Sequence, residues 1–112
     1  MKNKIAKKIK KYNDAFKILR ESMLDFQYIP REFLTQELCV WAVNDFICNI
    51  EYIPNEFKTQ EMCEKAVKFC GELLESVPIE LMTQEMCVVA FKQDKENLQF
   101  IPKEFQTYLL YE

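Results

Sequence analysis

Residues 59–82 read TQEMCEKAVKFCGELLESVPIELM, and much of this pattern recurs at intervals of 24 residues along the chain. At this offset the prolines fall in register, at Pro30, Pro54, Pro78 and Pro102. Threonines, cysteines and alanines align in the same way, at Thr35, Thr59, Thr83 and Thr107, at Cys39, Cys63 and Cys87, and at Ala42, Ala66 and Ala90. A fixed period of this length is typical of a repeat architecture.

Each repeat carries the signals of a helix start, of an apolar helix face and of a stop. Thr59 is expected to cap the first turn through its hydroxyl, and Glu61 places negative charge at the positive end of the helix dipole. Apolar residues then follow at the spacing of one helix face, at Met62, Cys63, Ala66 and Val67. A second apolar set predicts a short second helix that packs back on the first. This helix should stop before Pro78, because proline disfavours α-helical backbone in the residue that precedes it.

A helical hairpin of this size cannot bury its apolar face alone, so neighbouring repeats are expected to stack. The sequence therefore predicts an all-α fold, a short α-solenoid of stacked 24-residue helical-hairpin repeats with an N-terminal amphipathic helix. We interpret residues 1–112 as a single domain. Within it, residues 1–27 form a basic amphipathic helix that serves as the N-terminal cap. Residues 28–106 form the tandem repeats, and residues 107–112 form a C-terminal cap in which Thr107 opens a further unit.

The repeat resembles a known family of uncharacterised sequences. The resemblance is carried by Thr59-Gln-Glu-Met-Cys-Glu-Lys-Ala-Val-Lys, by Gly71 and Leu74, and by Val77-Pro78-Ile-Glu80-Leu. Similar helical tandem repeats are known only as a domain of unknown function, which occurs in giant DNA viruses and host-associated bacteria. The resemblance covers residues 28–106 and departs from the family pattern at Ile47 and Lys95, which stand where glycine is usual. It implies a helical repeat and supplies no catalytic residue.

The composition argues against several classes of function. The chain has no histidine, which excludes serine–histidine and cysteine–histidine catalysis. It also has no glycine-rich phosphate loop. Its five cysteines form no Cys-x-x-Cys pair, which argues against a disulfide framework or a structural zinc site. Neither a membrane span nor a signal peptide is apparent. We therefore expect a cytoplasmic protein that is not an enzyme and needs neither a cofactor nor a metal.

Two ladders of identical side chains have both a functional and a structural interpretation. The glutamates two residues after each proline could act as acid and base, but their position favours helix-end charges. These are Glu32, Glu56, Glu80 and Glu104. The cysteines in register, Cys39, Cys63 and Cys87, could hold a soft metal. Neighbouring helix axes lie about 8–10 Å apart, which favours burial of these thiols as small apolar groups.

Positions that differ between repeats are candidates for partner binding, because the core does not dictate them. Apolar residues occupy several of these positions, namely Trp41, Val40, Phe69, Val88 and Val89. If they are exposed, an apolar patch with a tryptophan at one end would suit a protein partner. The alternative is that these side chains pack beneath the N-terminal helix.

Charge is divided unevenly along the chain. Residues 1–24 carry eight lysine and arginine side chains against two acidic ones, a net charge of +6. Residues 25–112 carry seven against sixteen, a net charge of −9. The basic segment also has an apolar helical stripe, which is flanked by Lys4, Lys7, Lys8 and Lys11. Such a helix could bind nucleic-acid phosphates, an anionic membrane surface or an acidic partner, or it could cover the repeats with its lysines in solvent.

The sequence thus favours a protein-binding module, a small stoichiometric inhibitor or adaptor that acts on a larger protein. An acidic body of this size would suit the basic channel of a nucleic-acid-processing enzyme. Nucleic-acid binding through the lysine-rich N-terminal helix is the alternative function.

Overall fold

A computed structural model of the chain describes residues 26–109. All regular elements in this range are α-helices or 3₁₀-helices, and none of these residues forms a β-strand. The all-α class expected from the sequence is therefore confirmed for this part of the chain. No helix among the same residues combines the length and the apolar content that crossing a membrane requires.

Three α-helices of equal length begin 24 residues apart. Helix α1 spans Gln36–Asp45, α2 spans Gln60–Phe69 and α3 spans Gln84–Gln93. Each begins directly after a threonine whose hydroxyl accepts a hydrogen bond from the backbone amide three residues later. These bonds measure 3.1 Å for Thr35 with Leu38 and 3.2 Å for both Thr59 with Met62 and Thr83 with Met86. The cap predicted at Thr59 is confirmed, and it recurs in each of the three repeats.

A six-residue 3₁₀-helix follows each of these α-helices. The three spans are Ile47–Tyr52, Gly71–Ser76 and Lys95–Phe100. The predicted second helix is thus present, and its geometry is 3₁₀. It ends before an extended residue that precedes proline, as at Val77, where φ is −86° and ψ is 123°. The expected stop before each of these prolines is confirmed, because proline disfavours α-helical backbone in its predecessor.

Short 3₁₀ turns follow three of the prolines. They span Arg31–Phe33, Asn55–Phe57 and Ile79–Leu81. In each turn the proline carbonyl accepts a hydrogen bond from the amide three residues later, at 2.9–3.0 Å. The glutamate two residues after the proline lies in the first turn, as expected from the sequence. A further 3₁₀ turn, Phe26–Tyr28, opens the described part of the chain.

The fourth proline is followed by an α-helix, α4, which spans Lys103–Leu109. Thr107 lies inside this helix, so the prediction that Thr107 opens a further unit is wrong. The Gln-Glu pair that follows the other threonines is replaced here by Tyr108 and Leu109. Extending a helix that has already begun after Pro102 is easier than nucleating a new one, because nucleation orders several residues for a single hydrogen bond.

The chain divides into two compact units, Met1–Phe57 and Lys58–Glu112. In the first unit, the 3₁₀-helix Ile47–Tyr52 packs against α1 and against Phe26–Tyr28. In the second unit, α3 is central, since it packs against α2, α4 and both long 3₁₀-helices. Each unit contains a buried set of apolar side chains drawn from these elements.

The centre of each repeat is built from the same two small residues. The cysteines in register and the alanines three residues after them are all 0% exposed. They are Cys39, Cys63 and Cys87, with Ala42, Ala66 and Ala90. Small side chains at these positions let neighbouring helical elements approach closely, and close packing maximises dispersion contacts.

We expect Thr59→Ala to lower the free energy of unfolding by about 1 kcal/mol, because the substitution removes the acceptor for the Met62 amide. Thr107→Ala is the matched control, since Thr107 lies within α4 and alanine is the better helix former there. Its effect should stay below about 0.5 kcal/mol. Urea unfolding followed by circular dichroism measures both variants. Equal losses would show that Thr107 also caps a helix.

Candidate functional site

The three cysteines in register lie in the apolar cores. Burial raises the pKa of the Cys39 and Cys87 thiols to about 11. Burial also raises the pKa of Cys63, while the nearby Lys58 ammonium opposes this shift and Glu64 adds to it. The reactive and metal-binding form of cysteine is the thiolate, so these shifts favour the packing interpretation of the ladder. Among residues 26–109, no group of three or more histidine, cysteine or acidic side chains is placed to hold a metal ion.

We expect iodoacetamide to modify Cys48 and Cys70, which are partly exposed, well before it modifies the three buried cysteines. The buried thiols lack both solvent access and thiolate character. Mass spectrometry of peptides taken at successive times under native, mildly alkaline conditions gives the order of modification. All five cysteines should react at similar rates in urea. Equal rates without urea would contradict the burial of the ladder.

The glutamates that follow the prolines occupy first turns of helices rather than a shared cleft. Glu32 and Glu80 lie in short 3₁₀ turns, and Glu104 lies at the start of α4. Glu56 accepts a hydrogen bond from Arg31 at 3.1 Å, and both side chains are largely exposed. An exposed pair of this kind contributes little to stability. The structure thus supports their interpretation as helix-end charges.

The apolar residues proposed for partner binding are placed in two groups. Val40 and Trp41 lie on α1 in the first unit, where Val40 is 39% exposed and Trp41 is partly buried. In the second unit, Phe69 ends α2 and is 67% exposed, while Val88 and Val89 lie partly buried on α3. Of these residues, Val89 lines a groove between α2 and α3. The basic residues proposed for binding, Lys4, Lys7, Lys8 and Lys11, lie outside the described part of the chain.

A groove of about 70 Å³ opens between α2 and the first half of α3, and we call it the α2–α3 groove. Its apolar lining consists of Val67, Met86 and Val89, of which the first two are buried. Three exposed charged side chains, Glu64, Lys68 and Glu85, and the capping threonine Thr83 complete it. Sites for small-molecule cofactors usually measure about 300 Å³ or more, so this groove suits a single side chain.

One glutamine ties α2 to α3 at the end of the helix pair. The Gln93 Nε2 donates hydrogen bonds to the carbonyls of Val67, at 2.9 Å, and Lys68, at 3.1 Å. Its Oε1 accepts a hydrogen bond from the Gly71 amide at 2.7 Å. These bonds satisfy two terminal carbonyls of α2, which would otherwise lack partners within the helix. The equivalent residues Asp45 and Phe69 do not offer both a donor and an acceptor, and this difference is the sequence signal that distinguishes Gln93.

Gly71 lets its 3₁₀-helix lie directly against α3. A Cβ atom added there would come within 2.5 Å of the Asn97 Nδ2 and 3.0 Å of the Ala90 Cα. Asn97 is itself buried, and its amide donates a hydrogen bond to the Ala90 carbonyl at 2.9 Å. A side chain at position 71 would therefore displace a satisfied polar group as well as backbone. The single glycine of the chain is required at this close approach.

We expect Gly71→Ala to lower the free energy of unfolding by about 1–3 kcal/mol, since overpacking outweighs the better helix propensity of alanine. Part of this cost should disappear in an Asn97→Ala background, where the nearest obstructing atom is absent. Urea unfolding of the two single variants and the double variant measures the coupling. A cost that is the same in both backgrounds would show that Asn97 is not the obstacle.

The α2–α3 groove carries more negative than positive charge. Two carboxylates, Glu64 from α2 and Glu85 from α3, face one ammonium, Lys68. Within residues 26–109, the two ion pairs are Arg31 with Glu56 and Lys65 with Glu61, so neither groove carboxylate belongs to one. This arrangement can hold a cationic group with an apolar stem.

The second unit also contains the region that resembles known sequences. Residues 59–106 match a domain of unknown function, DUF4116. The match begins at the cap of α2 and includes α3, so it contains the α2–α3 groove. It supports the resemblance to an uncharacterised family over this part of the chain. No curated protein and no solved structure shows a significant match to the chain.

Proposed function

We propose that the chain is a non-enzymatic protein-binding module. In this proposal it is built as a short α-solenoid of 24-residue helical-hairpin repeats, with an N-terminal amphipathic helix. The observation that carries the proposal is that α1, α2 and α3 share their length, their threonine cap and their buried cysteine and alanine, but differ at positions that are exposed or only partly buried.

The differences fall on adjacent positions of the three helices. The position after the core cysteine is valine in α1 and α3 but glutamate in α2, at Val40, Glu64 and Val88. The next position carries a different residue in each helix, at Trp41, Lys65 and Val89. A constant core with a variable surface is what a recognition scaffold needs, because specificity then depends on side chains that do not determine the fold.

The charge of the repeats indicates the kind of protein that would bind. Residues 26–109 carry seven lysine and arginine side chains against fourteen carboxylates, a net charge of −7. Such a surface attracts basic partners and speeds their association. We therefore propose an inhibitor or adaptor whose target is a larger protein with a basic surface, such as a nucleic-acid-processing enzyme. The free thiols among the described residues suit a reducing compartment, and we place the protein in the cytoplasm.

The alternative function is nucleic-acid binding through the N-terminal segment. It rests on the net charge of +6 over residues 1–24 and on Lys4, Lys7, Lys8 and Lys11 within them. Phosphate binding of this kind weakens steeply with salt, because bound lysines release counterions.

Affinity purification of the tagged chain from a lysate of its native host, with and without nuclease, tests the proposal. We expect one protein at near-equal amount, unaffected by nuclease and identified by mass spectrometry. Phe69→Ser should reduce its recovery about tenfold, the effect of losing about 1.4 kcal/mol. Ile79→Ser is the matched control, because Ile79 is also an exposed apolar residue of the second unit and lies outside the proposed patch.

Recovery that disappears with nuclease would overturn the protein-binding proposal and favour the basic segment. If the Phe69→Ser and Ile79→Ser variants recover equal amounts of the partner protein, Phe69 is not part of the binding surface.

A further inference from the structure

The α2–α3 groove has the size and lining of a site for one long side chain. Val67, Met86 and Val89 give it an apolar floor, and its volume is about 70 Å³. Lysine and arginine carry an apolar stem of several methylene groups that packs well on such a floor. Their charged ends extend past the stem toward the rim, where the groove carries its carboxylates.

Comparison of equivalent helix positions shows that one carboxylate of the groove lacks a partner that its equivalent in α2 has. In α2, Glu61 forms an ion pair with Lys65, four residues later, at 3.1 Å. The equivalent pair of positions in α3 is Glu85 and Val89, so Glu85 has no lysine at that spacing. Val89 instead contributes to the apolar floor. At this position α3 therefore places an apolar side chain in the groove lining and no cation beside Glu85.

The second carboxylate is not required by the repeat. Glu64 stands where α1 and α3 carry Val40 and Val88, and it does not lie at the start of its helix. Lys68 is the one cation in the lining, and no ion pair within residues 26–109 joins it to Glu64 or Glu85. The rim thus retains net negative charge beside an apolar floor.

We infer that the α2–α3 groove binds a lysine or arginine side chain from a basic segment of the protein partner. This inference rests on the proposed function and names the chemistry of the partner. The stem of the incoming side chain packs on Val67, Met86 and Val89. Its cationic end lies between Glu64 and Glu85, where it supplies the positive charge that Lys65 supplies to Glu61 in α2.

Fluorescence anisotropy of a fluorescein-labelled, lysine-rich peptide, titrated with the full chain at low salt, tests the inference. The comparison ligand is the same peptide with every lysine acetylated, which keeps the aliphatic part of each side chain but has no positive charge on it. We expect acetylation to weaken binding about tenfold or more. The titrations are repeated in a variant with Lys4, Lys7, Lys8 and Lys11 replaced by glutamine, so that the chain's own lysines do not compete with the peptide.

Two double variants distinguish binding in the groove from general attraction to the acidic surface. Glu64→Gln with Glu85→Gln should weaken binding about tenfold. Glu72→Gln with Glu75→Gln is the matched control, because it removes the same charge from exposed residues of the same unit outside the groove. The control should change affinity by less than about twofold, since exposed charges at a distance are screened. Lys68→Gln should tighten binding, because it removes the cation that repels the ligand.

If the two double variants weaken peptide binding equally, the inferred groove site is wrong and the peptide binds by general attraction to an acidic surface. No binding of the lysine-rich peptide to either background would also overturn it. Failure of this inference is distinguishable from failure of the proposed function. A protein captured from lysate at near-equal amount, and retained by the variant that lacks both groove carboxylates, would overturn the groove while supporting the protein-binding role.

Discussion

The architecture depends on a hydrogen bond that recurs in α1, α2 and α3, from the backbone amide of the third helical residue to the hydroxyl of the threonine that precedes the helix. This bond separates the turn after each proline from the α-helix that follows, so it sets where the helix begins. The starting point then determines which side chains face the core, because the helical period is fixed. The last repeat shows the effect of losing the cap, since α4 runs through Thr107 without interruption and no separate helix begins there.

The caps start the helices, whereas contacts between neighbouring elements position them. Gln93 joins the end of α2 to α3 and to the Gly71 amide, and Gly71 in turn leaves room for Asn97. These contacts satisfy polar groups at the close approach, which would otherwise be costly to bury. They hold the helix pair that frames the α2–α3 groove. A recognition site on rigid elements presents its side chains with little loss of conformational entropy on binding.

The cysteines and glutamates in register have structural roles. The proposed function rests instead on positions at which the repeats differ. Burial raises the pKa of Cys39, Cys63 and Cys87, and the glutamates after the prolines lie in first turns of helices. Glu64 and Val89 occupy positions at which the repeats differ, and both line the groove. The repeat itself does not demand these residues, and the proposed contact with a partner is assigned to them for this reason. The acidic surface around them suits a basic partner.

Sequence by itself determined the features that act within about one helical turn. Threonine caps, stops before proline and buried Cys63 and Ala66 followed from local chemistry and a 24-residue period, and these expectations are confirmed. Tertiary structure decided which distant residues meet, including Gln93 with the end of α2, and it placed Val89 and Glu64 on one groove. It also decided that α4 runs through Thr107. Such contacts join residues about 25 positions apart in the chain. They depend on how whole helices pack, and this packing is not encoded in the signals of any single turn.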